Sequence, residues 1–145
     1  MPVATAADAA LASTLRLSVM RLARRLRAQR VSTDLGLTHL ATMSTLEMHG
    51  RMTPGELAAH ERVQPPSMTR VIGVLEERGF AVRTPHPTDR RQVYVELSDS
   101  GRELLRADRR RRDAWLSQHL SALSPDELEL LHRVAPILER LAQAE

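Results

Sequence analysis

Thr88-Asp89-Arg90-Arg91-Gln92 lies between two short β-like runs, Phe80-Ala81-Val82-Arg83 and Val93-Tyr94-Val95-Glu96-Leu97, and follows a segment that opens Gln64-Pro65-Pro66-Ser67-Met68-Thr69-Arg70. From Pro65 the apolar residues Met68, Val71, Ile72 and Leu75 fall at i, i+3, i+4 and i+7, which predicts a helix with one buried stripe. A rotation of about 100° per residue places Pro66, Arg70, Gly73 and Glu77 opposite that stripe, flanked by Ser67 and Thr69. Short polar side chains thus gather in the amino-terminal half, while Glu76 and Glu77 would be repelled by phosphates. Gly79 suits the helix exit. The connection from Thr84 to Gln92 is too long for a tight turn and is rich in Pro and Arg, so it predicts a wing. A helix with a polar leading half fits a major groove, and an arginine on a hairpin tip can reach a narrow, electronegative minor groove. The pattern predicts a winged helix shaped for duplex DNA.

Working outward, Leu11, Leu15, Val19, Leu22 and Leu26 follow helical spacing, with Arg16, Arg24, Arg27 and Arg30 largely off the stripe. A second helix carries Leu40, Met43 and Leu46, with Thr38 as its expected cap and Gly50 as its expected left-handed exit. Thr53-Pro54-Gly55-Glu56 is a capping box with proline at the first helical position, and it opens a short third helix over Leu57 and Ala58. Beyond the strands, Ser98 caps a helix running through Leu104 and Leu105 to Trp115, Leu116 and Leu120. Ser124-Pro125-Asp126-Glu127 is a second capping box, opening a last helix with apolar residues on two stripes. Pro136 is expected to kink that helix or break its ladder near Arg133.

The first and last helices each carry more apolar surface than a single winged helix can cover, which predicts a homodimer. The expected class is mainly α with a small β wing, an α+β arrangement. Its winged helix-turn-helix covers 35–101 and a long connecting helix 98–120. A helical dimerisation region is drawn from 1–34 and 117–145.

Composition agrees. Hydrophobic residues make up 42% of the 145 and aromatics 2%, so the core must be built from Leu, Val, Ala and Met, which favours helices. The formal charge is +3 and all 21 basic residues are arginine, a set that stays protonated and suits bidentate phosphate or guanine contacts, although a genome that replaces lysine by arginine throughout would leave the same mark. Residues 114 to 145 carry two arginines against five acids, so phosphate binding belongs to the body of the chain and not to its tail. With no cysteine, disulfides and thiolate metal sites are excluded. Met1 to Ser13 lacks a basic leader pattern and no apolar run reaches the ~18 residues of a membrane span, so a soluble, cytoplasmic protein without a membrane partner is expected.

The order of elements resembles the multiple antibiotic resistance regulator (MarR) family of winged-helix transcription factors across nearly the whole chain. The residues that carry the resemblance are Glu56-Leu57-Ala58, Thr69-Arg70-Val71, Leu75-Glu76-Glu77-Arg78-Gly79, Arg83, Asp89-Arg90-Arg91 and Leu97-Ser98-Asp99-Ser100-Gly101. The resemblance implies a homodimer that binds a pseudopalindromic double-stranded DNA operator and usually represses. On the recognition helix it points to Gln64, Pro66, Ser67, Thr69 and Arg70. On the wing it points to Asp89, Arg90 and Arg91: Arg91 enters the minor groove, Asp89 pins its guanidinium by a charge-assisted hydrogen bond, and Arg90 meets phosphate. Gln64 departs from the pattern, standing where Ser, Thr or Asn is the usual cap.

Other features are weighed against plainer readings. The run Arg109 to Arg112 is bracketed by Asp108 and Asp113, which favours a solvated or interhelical salt-bridge face over a nucleic-acid patch. The six histidines show no metal spacing, and neither a metal nor a cofactor is expected. His39 and Met43, one turn apart, are candidates to line a cavity between the first, second and fifth helices for a small aromatic or phenolic effector, with ordinary core packing the stronger reading. No phosphate loop, nucleophile elbow or paired carboxylate motif is present, so catalysis is not expected. A winged helix used purely as a protein interaction module stays open as the alternative, since fold alone does not decide function.

Overall fold

The computed structural model describes residues 5–31 and 34–144. Residues 1–4, where the leader-free reading begins, and 32, 33 and 145, at the edges of the expected dimerisation region, lie outside the described residues. The chain divides into two compact units, Val31–Arg109 and a second formed by 1–30 with Arg110–Glu145. That boundary falls within the helix expected to connect them.

The unit Val31–Arg109 is a winged helix. It contains α2 (Leu37–His49), α3 (Pro54–Glu61), α4 (Pro65–Glu77), β1 (Ala81–Pro85), β2 (Val93–Leu97) and the first half of α5 (Asp99–Leu120). Helix α2 starts at Gly36, not at a Thr38 cap. Thr38 already lies inside the helix, and Gly36 offers no side-chain cap; His39 Nδ1 reaches back to accept the Gly36 N–H at 3.3 Å, the return half of a capping box. At its end Gly50 takes φ 76° and ψ −154°, supplying the positive φ expected of the exit, though with a ψ outside the usual left-handed helical region. Helix α3 opens on the expected capping box. Glu56 N–H donates to Thr53 Oγ1 at 3.2 Å, and the Glu56 carboxylate accepts Thr53 N–H at 2.8 Å. The turn into α4 holds Arg62 at φ 54°, a left-handed conformation that costs a residue with a Cβ about 1–2 kcal/mol.

Helix α4 ends in a Schellman motif. Phe80 N–H reaches Leu75 C=O at 2.8 Å and Gly79 N–H reaches Glu76 C=O at 2.9 Å, with Gly79 at φ 75°. Phe80 is therefore committed to the helix exit, and β1 begins one residue later than expected and runs on to Pro85. The strands pair antiparallel from Ala81 opposite Leu97 to Pro85 opposite Val93, so the wing loop shrinks to 86–92. A bridge unforeseen in the sequence adds Met52 to the free edge of β2, exchanging two backbone bonds with Val95 at 3.0 and 2.8 Å.

The core of this unit is apolar and closed. Met43, Leu57, Met68, Ile72, Leu75 and Val95 are completely buried, together with Leu35, Leu46, Ala81, Leu97 and Leu105. Truncating a fully buried leucine or methionine in such a core costs about 2–5 kcal/mol. Ser98 Oγ accepts the Gly101 N–H at 3.1 Å, as expected for the cap of α5. Asp108, read above as part of a charged face, is buried and accepts the Val31 N–H at 2.6 Å. Arg109 meets the Glu47 carboxylate through two bonds of 2.7 and 2.9 Å, an interhelical pair of the kind expected for that run.

The second unit contains α1 (Ala6–Arg27), the rest of α5 and α6 (Pro125–Ala142). Helix α1 begins before its apolar stripe because Thr5 and Asp8 form a capping box of their own. The Ser124 box opens α6 as expected. Helix α6 continues as one element through Pro136, which has no N–H and so leaves one bond of the ladder unmade, as expected. The described residues of α1 and α6 include none that is buried. Leu15 and Val19 of α1 face Leu138 and Leu141 of α6 across an open, largely apolar groove of about 650 Å³.

Candidate nucleic-acid interface

Helix α4 turns four apolar residues inward and leaves its amino-terminal face bare. Met68, Val71, Ile72 and Leu75 are buried, while Gln64, Pro65, Pro66, Ser67, Thr69 and Arg70 are all exposed. Gln64 gives no side-chain cap, as its identity suggests, and its carbonyl accepts Ser67 N–H at 2.9 Å and Met68 N–H at 3.1 Å. Thr69 Oγ1 donates to the Pro65 carbonyl at 3.0 Å, which spends its proton within the helix and leaves the oxygen lone pairs and methyl group to meet a ligand. Ser67 and Arg70 stand on the same exposed segment, so α4 presents a short polar face with one forked cation.

Arg83 of β1 pairs with the Glu76 carboxylate of α4. Both partners are partly exposed, so the pair adds little stability. It does neutralise one of the two carboxylates that would oppose phosphate along this helix. The sequence carries no local sign of the pair, because it depends on the turn from α4 into β1.

In the wing, His86 N–H donates to Gln92 C=O at 3.3 Å and Gln92 N–H to Asp89 C=O at 3.1 Å, closing the loop. Arg90 and Arg91 are exposed. The contact of Asp89 differs from the one expected. Its Oδ1 accepts the Arg91 backbone N–H at 3.0 Å, an Asx turn, so the carboxylate fixes the backbone that bears Arg91 rather than its guanidinium. Arg83, Arg91 and Gln92 line one side of a cleft of about 470 Å³ whose other side is Thr53, Pro54 and Gly55 at the start of α3. Two arginines and the first residues of α3 therefore border one space.

The remaining candidates sit apart from this face. Met43 is completely buried in the core and offers no surface to a ligand, and His39 is half-buried with Nδ1 engaged at Gly36. Among the described residues no group of three or more potential ligands could hold a metal ion, and no helix is long and apolar enough to cross a membrane. Sequence reasoning passed over His86, Tyr94 and Arg51. His86 stacks on Tyr94 with 4.7 Å between ring centres, and the Arg51 guanidinium lies 4.6 Å from the same Tyr94 ring. The available signal was the pair His86-Pro87 at the mouth of the wing.

Comparison with known proteins agrees with this geometry. Residues 35–93 match the MarR family, a span that covers α2 to the start of β2. An HTH-type transcriptional regulator of Mycobacterium tuberculosis is 50% identical over 131 residues, 90% of this chain and 92% of its own length. The transcriptional repressor MprA of Escherichia coli is 32% identical over 121 residues, 83% of this chain and 68% of its own. The crystal structure of a transcriptional regulator protein from Pseudomonas aeruginosa superposes with a TM-score of 0.84 at 36% identity, covering 97% of this chain and all of that one. With identity of this extent to transcriptional regulators and the winged-helix core falling within the matched span, the chain belongs to the MarR family of transcriptional regulators.

Proposed function

We propose that this protein is a homodimeric, cytoplasmic repressor that binds a pseudopalindromic operator, reading bases with Ser67, Thr69 and Arg70 and gripping the flanking minor groove with Arg91. The observation that carries the reading is the pairing, within one compact unit, of an exposed polar amino-terminal face on α4 with a wing whose arginines are exposed. The cleft shared by Arg83, Arg91 and the start of α3 supplies a place for phosphate next to the wing. Gln64, Pro66 and Arg90 take supporting contacts with the backbone in this reading. Its DNA partner is further supported by a regulator of the same fold, FabT of Streptococcus pneumoniae, crystallised in complex with DNA.

Dimerisation is supported by the exposed apolar residues of α1 and α6, which include Leu11, Met20, Leu130, Ile137 and Leu141. A two-fold dimer would set its recognition helices one DNA turn apart, about 34–36 Å. Because His39 Nδ1 accepts the Gly36 N–H and Met43 is buried in the core, the two candidates for an effector are read here as a capping group and a core group.

Selection from a pool of random-sequence duplexes tests the reading. The wild-type protein is expected to enrich a two-fold symmetric site, and Arg70→Ala to lose about 1–3 kcal/mol of affinity with relaxed preference at one position per half-site. Enrichment of no sequence would overturn it and favour the interaction-module alternative.

A further inference from the structure

The wing contains a titratable side chain that the DNA reading leaves without a task. His86 Nδ1 lies 3.1 Å from the backbone nitrogen of Asp89, 3.3 Å from that of Thr88, and 3.4 Å from Thr88 Oγ1. A backbone N–H can only donate, so a ring nitrogen that faces two of them must offer its lone pair. The geometry therefore requires neutral imidazole with its proton on Nε2. Acceptance from residues two and three further along is the way Asx, Ser and Thr side chains cap a turn, here performed by a histidine. Pro87, between the acceptor and its donors, holds φ near −65° and preorganises the arrangement. Stacking on Tyr94 fixes the ring plane from β2.

We infer that His86 is the positioning residue of the wing: its neutral Nδ1 caps Thr88 and Asp89, Asp89 in turn caps Arg91, and this relay sets the backbone from which Arg90 and Arg91 project. The cap stands on the geometry alone, and its consequence for DNA binding rests on the reading proposed above.

Three full-length proteins test this: wild type, His86→Asn and His86→Phe. Asparagine keeps an acceptor of similar reach without a ring, whereas phenylalanine keeps the stack without the acceptor. The first readout is amide-exchange protection at Thr88 and Asp89 in the free protein. Protection is expected in the wild type and in the asparagine variant and not in the phenylalanine variant. The second readout is affinity for a duplex selected from a random pool by the wild-type protein. Loss of two hydrogen bonds should weaken the phenylalanine variant about tenfold while asparagine stays within about twofold.

Wild-type protection in His86→Phe, or loss of protection in His86→Asn, overturns the inference. If protection follows the expected pattern while all three proteins bind the duplex equally, the cap is upheld and it is the wing's part in DNA binding that fails.

Discussion

At Asp89 and Arg91, the identity of one acceptor atom separates two accounts of the same pair of residues. The family pattern implies that the aspartate orients the guanidinium; in the structure its Oδ1 holds the Arg91 amide in an Asx turn. Asp89→Asn discriminates between them, because asparagine retains the acceptor and discards the charge. A turn-capping role predicts that the asparagine variant binds operator like the wild type, while Asp89→Ala loses about 1 kcal/mol, the net worth of one hydrogen bond. An ion-pair role predicts that both fail together. Both variants remove the same negative charge near DNA, so their difference at fixed salt is free of the bulk electrostatic gain that either would show alone. Arg91 itself should tolerate neither alanine nor lysine: either should cost about 1–3 kcal/mol in a titration against operator, since lysine lacks the planar fork and is more strongly hydrated. The pairing of residue types was legible in the sequence, but which atom meets which was not, because the side chain and the backbone amide of Arg91 compete for the same carboxylate.

Helix starts were the elements easiest to foresee, because a cap and its partner lie three residues apart and need nothing else. Thr53 with Glu56, Ser98 with Gly101, and Ser124 with Glu127 all behave this way. Thr5 with Asp8 carries the same signal and was passed over in favour of the apolar spacing that begins at Leu11. Arg62 was illegible for the opposite reason, since a left-handed turn residue is expected to be Gly or Asn. The Met52 bridge and the Glu47–Arg109 pair join residues distant in sequence, and the Arg83–Glu76 pair spans the turn from α4 into β1, so no local pattern announces them. Gly101 is a further case: a Cβ there would fall 2.3 Å from the Phe80 carbonyl oxygen, so α5 starts in contact with the exit of α4. Gly101→Ala should therefore destabilise the protein by about 1–3 kcal/mol or more, against less than about 0.5 kcal/mol for the exposed neighbour Ser100→Ala, as read from urea denaturation midpoints. The Glu47–Arg109 pair gives a pH signature. The hydrogen bond from Arg109 holds the Glu47 carboxyl below its ordinary value of 4.5, with the charges of Arg109, Arg106 and Arg102 adding to the effect and partial burial opposing it. A depressed carboxylate contributes stability above its unfolded value and loses it as pH falls through the folded one. Glu47→Gln should cost about 0.5 kcal/mol near neutrality, a figure kept small because both partners are partly exposed, and the gap to wild type should close as pH falls below the ordinary carboxylate value and through the depressed one. A gap that persists in acid would assign the cost to packing instead.

At the scale of the whole molecule, the two units differ in how completely they satisfy themselves. The winged unit closes a buried core and exposes only scattered apolar residues such as Leu37, Met48 and Val82, whereas α1 and α6 leave Leu11, Val19, Leu22, Leu131, Ile137 and Leu141 in water. Exposed apolar surface of this extent on two helices marks an association surface. The proposed dimerisation would also answer a binding problem, because one recognition helix makes few contacts, and tethering a second copy at matching spacing multiplies affinity without any new contact. The double substitution Leu138→Glu and Leu141→Glu places two charges in the groove beside Leu15 and Val19 while leaving every residue of the winged core untouched. Sedimentation equilibrium at micromolar concentration should show a dimer for the wild type and a monomer for this variant, with the thermal transition of the winged unit retained. Operator affinity should fall by about 10²–10⁴, the usual range of avidity. The slope of log Kobs against log salt should fall to roughly half, since half the phosphates are then neutralised in each complex. A variant that remains dimeric would place the interface elsewhere on α1 and α6. A monomeric variant that keeps full affinity and the full salt slope would show that one winged unit suffices, and the two-fold operator reading would have to be abandoned.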